Sequence, residues 1–323
     1  MSGFGHETTT DQVLEGLDLT GRRIVITGAS SGLGEEAARA LASKGATVSM
    51  LARNREKLEA AAERIRDKMP DAKLELHLVD LADLASIRAF TDDYLKGHET
   101  IDVLINNAGV MCCPLTRTAD GFEMQFGTNH LGHFLLTNRL LPAILRGDAP
   151  RIVNLSSGGH AICNVDLEDP NYEKTEYDPW DSYGRSKTAN VLFTVELDRR
   201  LADRGVLSFA VHPGAIMTEL GRHLTEETMN QMLERTRVRE KAAGEKSSGG
   251  GMPFKSVEAG AATEVWAATS PDLAAHGGAY LGDCQLGEEG GNPTFRGYTS
   301  WALDRDNAAR LWAISEKLVG ETF

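Results

Sequence analysis

Short apolar, often β-branched runs alternate with longer amphipathic segments along most of the chain. "RRIVITG" predicts a first strand, and "GEEAARALASKG" predicts a helix that stops at Gly45. "ATVSMLA" predicts the second strand, and "NREKLEAAAERIRDKM" a helix with Asn54 at its N-cap. "KLELHLVDL", "DLASIRAFTDDYLKGH" and "IDVLINNAG" continue as strand, helix and strand. The alternation resumes in "GFEMQFGTNHLGHFLLTNRLLPAIL", "RIVNLSS", "SYGRSKTANVLFTVELDRRLADRG" and "VLSFAVHPG". Strand and helix trading places roughly every 25 residues predicts βαβ units: an α/β chain with one doubly wound Rossmann sheet, seven-stranded and mainly parallel. Ligands of such sheets sit at the carboxyl ends of the strands.

From Thr218 to Ser256 the rhythm fails. The stretch is polar and helix-favouring, then turns into "GEKSSGGGMP", which cannot pack a core. A surface excursion is one reading, and a substrate lid spanning about 218–255 is the other. "SVEAGAATEVWAATS" and "GAYLGD" restore order. The expected organisation is an N-terminal arm (1–20), a dinucleotide-binding catalytic domain (21–285) and a C-terminal extension with a helix (286–323).

The first strand-to-helix turn is "TGASSGLG", where Gly28, Gly32 and Gly34 enclose Ser30, Ser31 and Leu33. Missing side chains let a backbone approach a pyrophosphate, and the following helix N-terminus supplies amide donors. Glycines alone fit a tight turn equally well; the position in the first βα turn favours the phosphate. At the end of the second strand, "LARN" places Ala52 where an NAD binder carries an acid, followed by Arg53. A guanidinium suits a 2′-phosphate, so the expected cofactor is NADP(H), with NAD(H) also admissible. The competing reading of Arg53 is a solvated arginine after a strand.

Tyr183 and Lys187 are four apart in a helical segment and share one face. Bringing a tyrosine from ~10 to ~7 requires about 4 kcal/mol. One ammonium at ~4 Å in an effective dielectric of ~20 supplies about that much. Ser156 and Ser157 end the strand before this helix, where a hydroxyl can bond a substrate oxygen as charge develops on it.

Composition narrows the classes. A net charge of −13 over 323 residues disfavours nucleic acid and anionic membranes. The first residues lack a basic n-region with an apolar core, and no apolar run is long enough to span a bilayer. The four cysteines are too scattered for a disulfide framework, and the Cys112–Cys113 pair lacks C-x-x-C spacing, so the cytosol is the expected compartment. His130 and His133 form an H-x-x-H without carboxylates, so no metal is expected.

"TGASSGLG", "NNAG", "FGTNHLGHF", "NLSS", "YGRSK" and "HPGAIMTE" follow the order and spacing of the short-chain dehydrogenase/reductase family, which the chain resembles from about residue 20 to 285. The head "TTTDQVLEGLDLTG" and the tail "NAARLWAISEKLVG" resemble the retinol dehydrogenase and WW-domain oxidoreductase branch, without the membrane-anchoring segment common in animal members. The resemblance implies that Asn129 holds a water in a proton relay, Ser157 orients the substrate oxygen, Tyr183 moves the proton, and Lys187 binds the nicotinamide ribose and lowers the tyrosine pKa. It further implies that Asp80, beside Leu81, accepts from the adenine amino group, and that Asn107, Ala108 and Gly109 lie along the adenosine side. Pro213, Gly214, Ile216 and Thr218 would hold the carboxamide.

The expected function is hydride transfer between NADP(H) and a small hydrophobic alcohol or its carbonyl counterpart. An epimerase working through a transient ketone would use the same residues; a nucleotide sensor or scaffold would use only the fold. The resemblance also implies a homodimer or homotetramer paired through the helices carrying Asn129 and Tyr183. Met111, Cys113, His160, Tyr177, Trp180, Met217 and Leu220 are candidate pocket walls or ordinary core.

Overall fold

The computed structural model describes residues 3–243 and 253–323. Residues 244–252, which include most of "GEKSSGGGMP" and part of the expected lid, lie outside the described residues.

In β1 (Arg23–Thr27) every residue from Ile24 onward is buried. It lies between β2 (Thr47–Ala52), where Val25 faces Ser49, and β4 (Val103–Asn106), where Val25 faces Leu104. β3 (Lys73–Leu78) flanks β2; β5 (Arg151–Leu155), β6 (Leu207–His212) and the strand Tyr280–Gly282 continue beyond β4. All seven are parallel, as the alternation predicts. An eighth strand, Gln285–Leu286, adds antiparallel to Tyr280–Gly282. It turns back through Asp283 and Cys284, at φ 51° and 54°. Two central residues with positive φ match the twist of a tight hairpin.

Side chains alternate across the sheet. Ile24, Ile26, Val48 and Met50 belong to one core, with Ala37 and Leu41 of α2 (Gly32–Ala42) and Ala262 and Val265 of a later helix, Val257–Thr269. A short N-terminal helix, α1 (Thr10–Val13), packs on the same side. α3 (Arg55–Lys68) also lies here, and its Asn54 side chain accepts the Lys57 amide as expected of an N-cap. Val25, Leu51, Leu104 and Ile152 point into the opposite core, against Ile87 of α4 (Leu84–Gly97). That core also takes side chains from α5 (Met124–Phe126), α6 (His133–Ile144) and α7 (Pro179–Leu201). Between α5 and α6 the chain makes a π-helical stretch, Gly127–Gly132. Asp178 caps α7, accepting from Trp180 and Asp181, and Pro179 starts the helix where its missing N–H costs nothing. α8 (Glu226–Ala243) belongs to the expected lid; Val257–Thr269 is α9, and Arg305–Val319 is α10.

α10 fills the groove between α6 and α7. The Trp312 ring meets Phe134 at 4.9 Å and Phe193 at 5.9 Å, and the Arg200 guanidinium lies 4.0 Å from the Trp312 ring centre. Arg88 and Arg139 both bind Glu321 at 2.7 Å. This groove includes the faces through which copies were expected to pair, so pairing there requires α10 to leave.

Candidate active site

The sheet order reverses between β1 and β4, and the crevice at their carboxyl ends holds the glycine turn. Gly28 sits at φ 67°, and a Cβ there would lie 2.8 Å from the Ala108 Cα. The turn is braced by Asn107, whose Nδ2 donates to the Thr27 carbonyl at 2.8 Å. Ser31 is the N-cap of α2 but makes no side-chain cap bond, so it leaves the helix amides to another acceptor. A side-chain-free turn against an uncapped eleven-residue helix fits a pyrophosphate. Ser30 and Leu33 lie in the same turn, and Leu33 and Ile216 meet over Gly260. Thr218 stands across from Gly32, its Cγ2 being 3.3 Å from where a Cβ would be.

Arg53 follows β2 directly and is exposed. It lies close enough to the lid turn Glu219–His223 that its charge, after partial burial and Arg222, helps hold His223 below the ordinary histidine pKa. Lys57 of α3 pairs with Glu219 of that turn at 2.9 Å. Asp80 spends one carboxylate oxygen on the Ala82 amide at 2.9 Å, while Leu81 is buried against Gly132.

The side chains expected to do chemistry converge from three segments. Ser157, at the end of β5, caps a short turn, Gly158–Ala161, by accepting the Gly159 amide at 3.0 Å. Its hydroxyl also bonds the Tyr183 phenol, which is buried. One turn along α7, the Lys187 ammonium donates to the Leu155 carbonyl at 3.0 Å and lies 5.7 Å from the Tyr183 ring centre. Burial disfavours both charged forms. It pushes the phenol above its usual value despite the Ser157 bond, and it brings Lys187 down to about 8. In the protein alone, burial therefore outweighs the lowering expected from Lys187.

Asn129 sits in the π-helical stretch with its side chain fully committed. Its Oδ1 accepts the Val110 amide at 2.8 Å, and its Nδ2 donates to the Val110 carbonyl at 2.9 Å and to Ser186 Oγ at 3.0 Å. Only its main-chain carbonyl is left to hold a water, and that oxygen already takes one bond from His133 Nδ1 at 2.9 Å. His133 Nε2 then accepts from the Thr27 hydroxyl at 2.9 Å, which in turn accepts the Ala108 amide at 3.0 Å. Burial holds His133 down at about 4, so the ring is neutral. His130 bonds Ser315 of α10 at 2.7 Å. The H-x-x-H pair thus joins elements together, and no group of three His, Cys, Asp or Glu suited to a metal occurs among the described residues.

Tyr183 is packed with Cys112 and Trp180, and Met111, Ile162, Leu224 and Met232 lie against them. Met111 and Trp180 were anticipated as walls. Cys112, Ile162, Leu224 and Met232 were not, because four separate segments bring them together. Tyr177 instead donates to the Cys113 carbonyl at 2.8 Å, and Met217 is 77% exposed. The lid is fastened here: Trp180 Nε1 donates to the Thr228 carbonyl at 2.8 Å, and Arg235 of α8 pairs with Asp178 at 2.9 Å. All four cysteines are free, and burial raises Cys113 and Cys163 to about 11, which leaves no thiolate for redox work near neutrality.

A family model described as short chain dehydrogenase matches residues 22–229. The chain belongs to the short-chain dehydrogenase family. It is 42% identical over 311 residues to retinol dehydrogenase 14 of Mus musculus, covering 93% of this chain and 86% of that one. Against retinol dehydrogenase 13 of Homo sapiens it is 40% identical, with 94% and 86% covered. A probable oxidoreductase of Streptomyces lividans is 40% identical, with 92% and 97% covered. Among solved structures, an uncharacterized protein from Mycobacterium paratuberculosis superposes with a TM-score of 0.72 at 36% identity, covering 98% of this chain and 99% of that one. These relatives place the chain in the retinol dehydrogenase branch, among oxidoreductases that act on alcohol or carbonyl groups with a nicotinamide cofactor. No helix among the described residues is long and apolar enough to cross a membrane.

Proposed function

We propose that this protein is an NADP(H)-dependent oxidoreductase that interconverts a small hydrophobic alcohol and its ketone or aldehyde. The observation that carries the reading is the hydrogen-bonded Ser157–Tyr183 pair on the floor of an apolar cluster, one helical turn from a buried ammonium. The glycine turn and the amides of α2 would hold the pyrophosphate, Arg53 the 2′-phosphate, Asp80 the adenine, and the segment Pro213–Thr218 the carboxamide. Bound there, the nicotinamide supplies or accepts the hydride.

The chain's own residues perform the remaining work. Ser157 Oγ already accepts from the Gly159 amide, so its proton is free to bond the substrate oxygen. In reduction the Tyr183 phenol gives that oxygen its proton; in oxidation it takes the proton back. Lys187, cationic below about 8, favours the phenolate. The Asn129 carbonyl holds the water that resupplies the lysine. Trp180, Met111, Leu224 and Met232 exclude bulk water and select apolar substrates. The domain limits 21–285, with the lid at about 218–255, belong to this reading, as does a cytosolic setting, which suits four free thiols. Any homodimer or homotetramer forms away from the α6–α7 groove.

Absorbance of the reduced nicotinamide tests the proposal, using NADPH and NADH with a panel of apolar ketones and aldehydes. The expected result is NADPH oxidation that falls by at least about a hundredfold in Tyr183→Phe. Turnover undiminished in that variant overturns the assignment.

A further inference from the structure

His212 ends β6 and is 5% exposed. Its Nδ1 accepts two backbone amides at once: Gly158 at 3.0 Å, immediately after Ser157, and Gly214 at 3.3 Å, in the turn after Pro213. A ring nitrogen that accepts N–H bonds carries no proton, so the proton is on Nε2, which donates to the Thr294 carbonyl at 3.2 Å. The C-terminal extension therefore selects one tautomer. It also backs the turn directly, because a Cβ on Gly158 would collide with the Pro293 carbonyl. From the other side His160 Nδ1 donates to the Ser157 carbonyl at 2.6 Å, and its Nε2 accepts the Thr299 amide at 3.4 Å.

The two amides belong to turns with different duties in the oxidoreductase reading, on which this inference rests. One turn presents the hydroxyl that holds the substrate oxygen; the other is expected to seat the nicotinamide carboxamide. Gly158 and Gly214 have no side chains with which to brace each other. We propose that His212 is a positioning residue whose Nδ1 locks these two turns at one spacing, and so sets the distance between substrate carbon and nicotinamide. A misplacement of about 1 Å costs about a hundredfold in such chemistry.

The test is made on the full chain. Asn at this position places Oδ1 where Nδ1 stands and can accept both amides, whereas Leu fills similar space and accepts neither. Amide hydrogen exchange at Gly158 and Gly214 is measured without cofactor. Separately, kcat, the NADPH dissociation constant and the isotope effect with 4-deuterated NADPH are measured on an apolar ketone. In His212→Leu both amides should exchange at least about tenfold faster, because each has lost its acceptor. Its kcat should fall by about ten- to a hundredfold with a larger isotope effect, while NADPH affinity stays within about threefold. His212→Asn should recover exchange protection and kcat together. A folded His212→Leu with protected amides, or with kcat within about twofold of the parent, overturns the proposal. If the Leu variant does not fold, Asn is compared with Gln, which carries its acceptor one bond further out, and equal kcat in those two also overturns it. Absence of turnover in the parent protein would sink the oxidoreductase reading, and the exchange result would still decide the lock.

Discussion

The Asn129 amide donates to the hydroxyl of Ser186, the residue before Lys187, at 3.0 Å. With its two bonds to Val110, this one side chain ties the end of β4 to α7. Replacing it strands the Val110 N–H and C=O inside the protein. Asn129→Ala is expected to cost about 2–4 kcal/mol in urea unfolding, from buried groups left unpaired at about 1–3 kcal/mol each. Its kcat should fall too, since Lys187 loses its neighbour's anchor.

Arg53 is exposed and carries the cofactor preference in the proposed function. Losing a charge-assisted bond worth about 1.5–3 kcal/mol weakens binding by about ten- to a hundredfold. Arg53→Ala should therefore raise the NADPH dissociation constant by that factor and leave NADH unchanged in a fluorescence titration. Equal effects on both cofactors would remove the 2′-phosphate from the argument.

Glu264 of α9 is buried with both carboxylate oxygens unpartnered, and burial together with Glu36 raises it to about 8. The folded chain thus keeps a proton that the unfolded chain releases near 4.5. Stability from this neutral carboxyl is complete below that value and drains away as pH rises towards 8. Glu264→Gln, which has no proton to lose, should match the parent at pH 4.5 and melt several degrees higher at pH 8–9. A parallel pair of melting profiles against pH would contradict this.

Trp312 packs α10 onto Phe134 and Phe193. Trp312→Ala is expected to cost about 3–5 kcal/mol, the usual range for a buried tryptophan. Sedimentation velocity should find no dimer that buries α6 and α7. Crosslinking between two copies through α6 would show that α10 had moved aside.

The sheet was legible because strands buried on both faces read as apolar runs, and Ile24, Val25 and Ile26 needed no further signal. Tyr183 and Lys187 were legible because four residues make one turn of α7, so a local spacing already states a contact. What escaped depends on partners distant in sequence. Nothing near His212 announces Thr294, and nothing near Trp312 announces Phe134. The Asp283–Cys284 turn escaped because neither residue is the glycine or asparagine that usually marks positive φ. The carbonyl of Asn129 escaped for another reason: a helix-period reading cannot see that its helix is wound differently.

That winding has a genealogical consequence. The π-helical stretch Gly127–Gly132 holds a surplus of backbone relative to a regular helix, and such a surplus can be lost by a single-codon deletion. Everything after the deletion would then be rotated by about 100°. His133 would leave Thr27, and Phe134 would leave Trp312, although the composition would hardly change. Length between the first glycine turn and α6 is therefore under tighter constraint than the identity of most residues within it, and a descendant of this chain could sooner exchange its letters there than drop one.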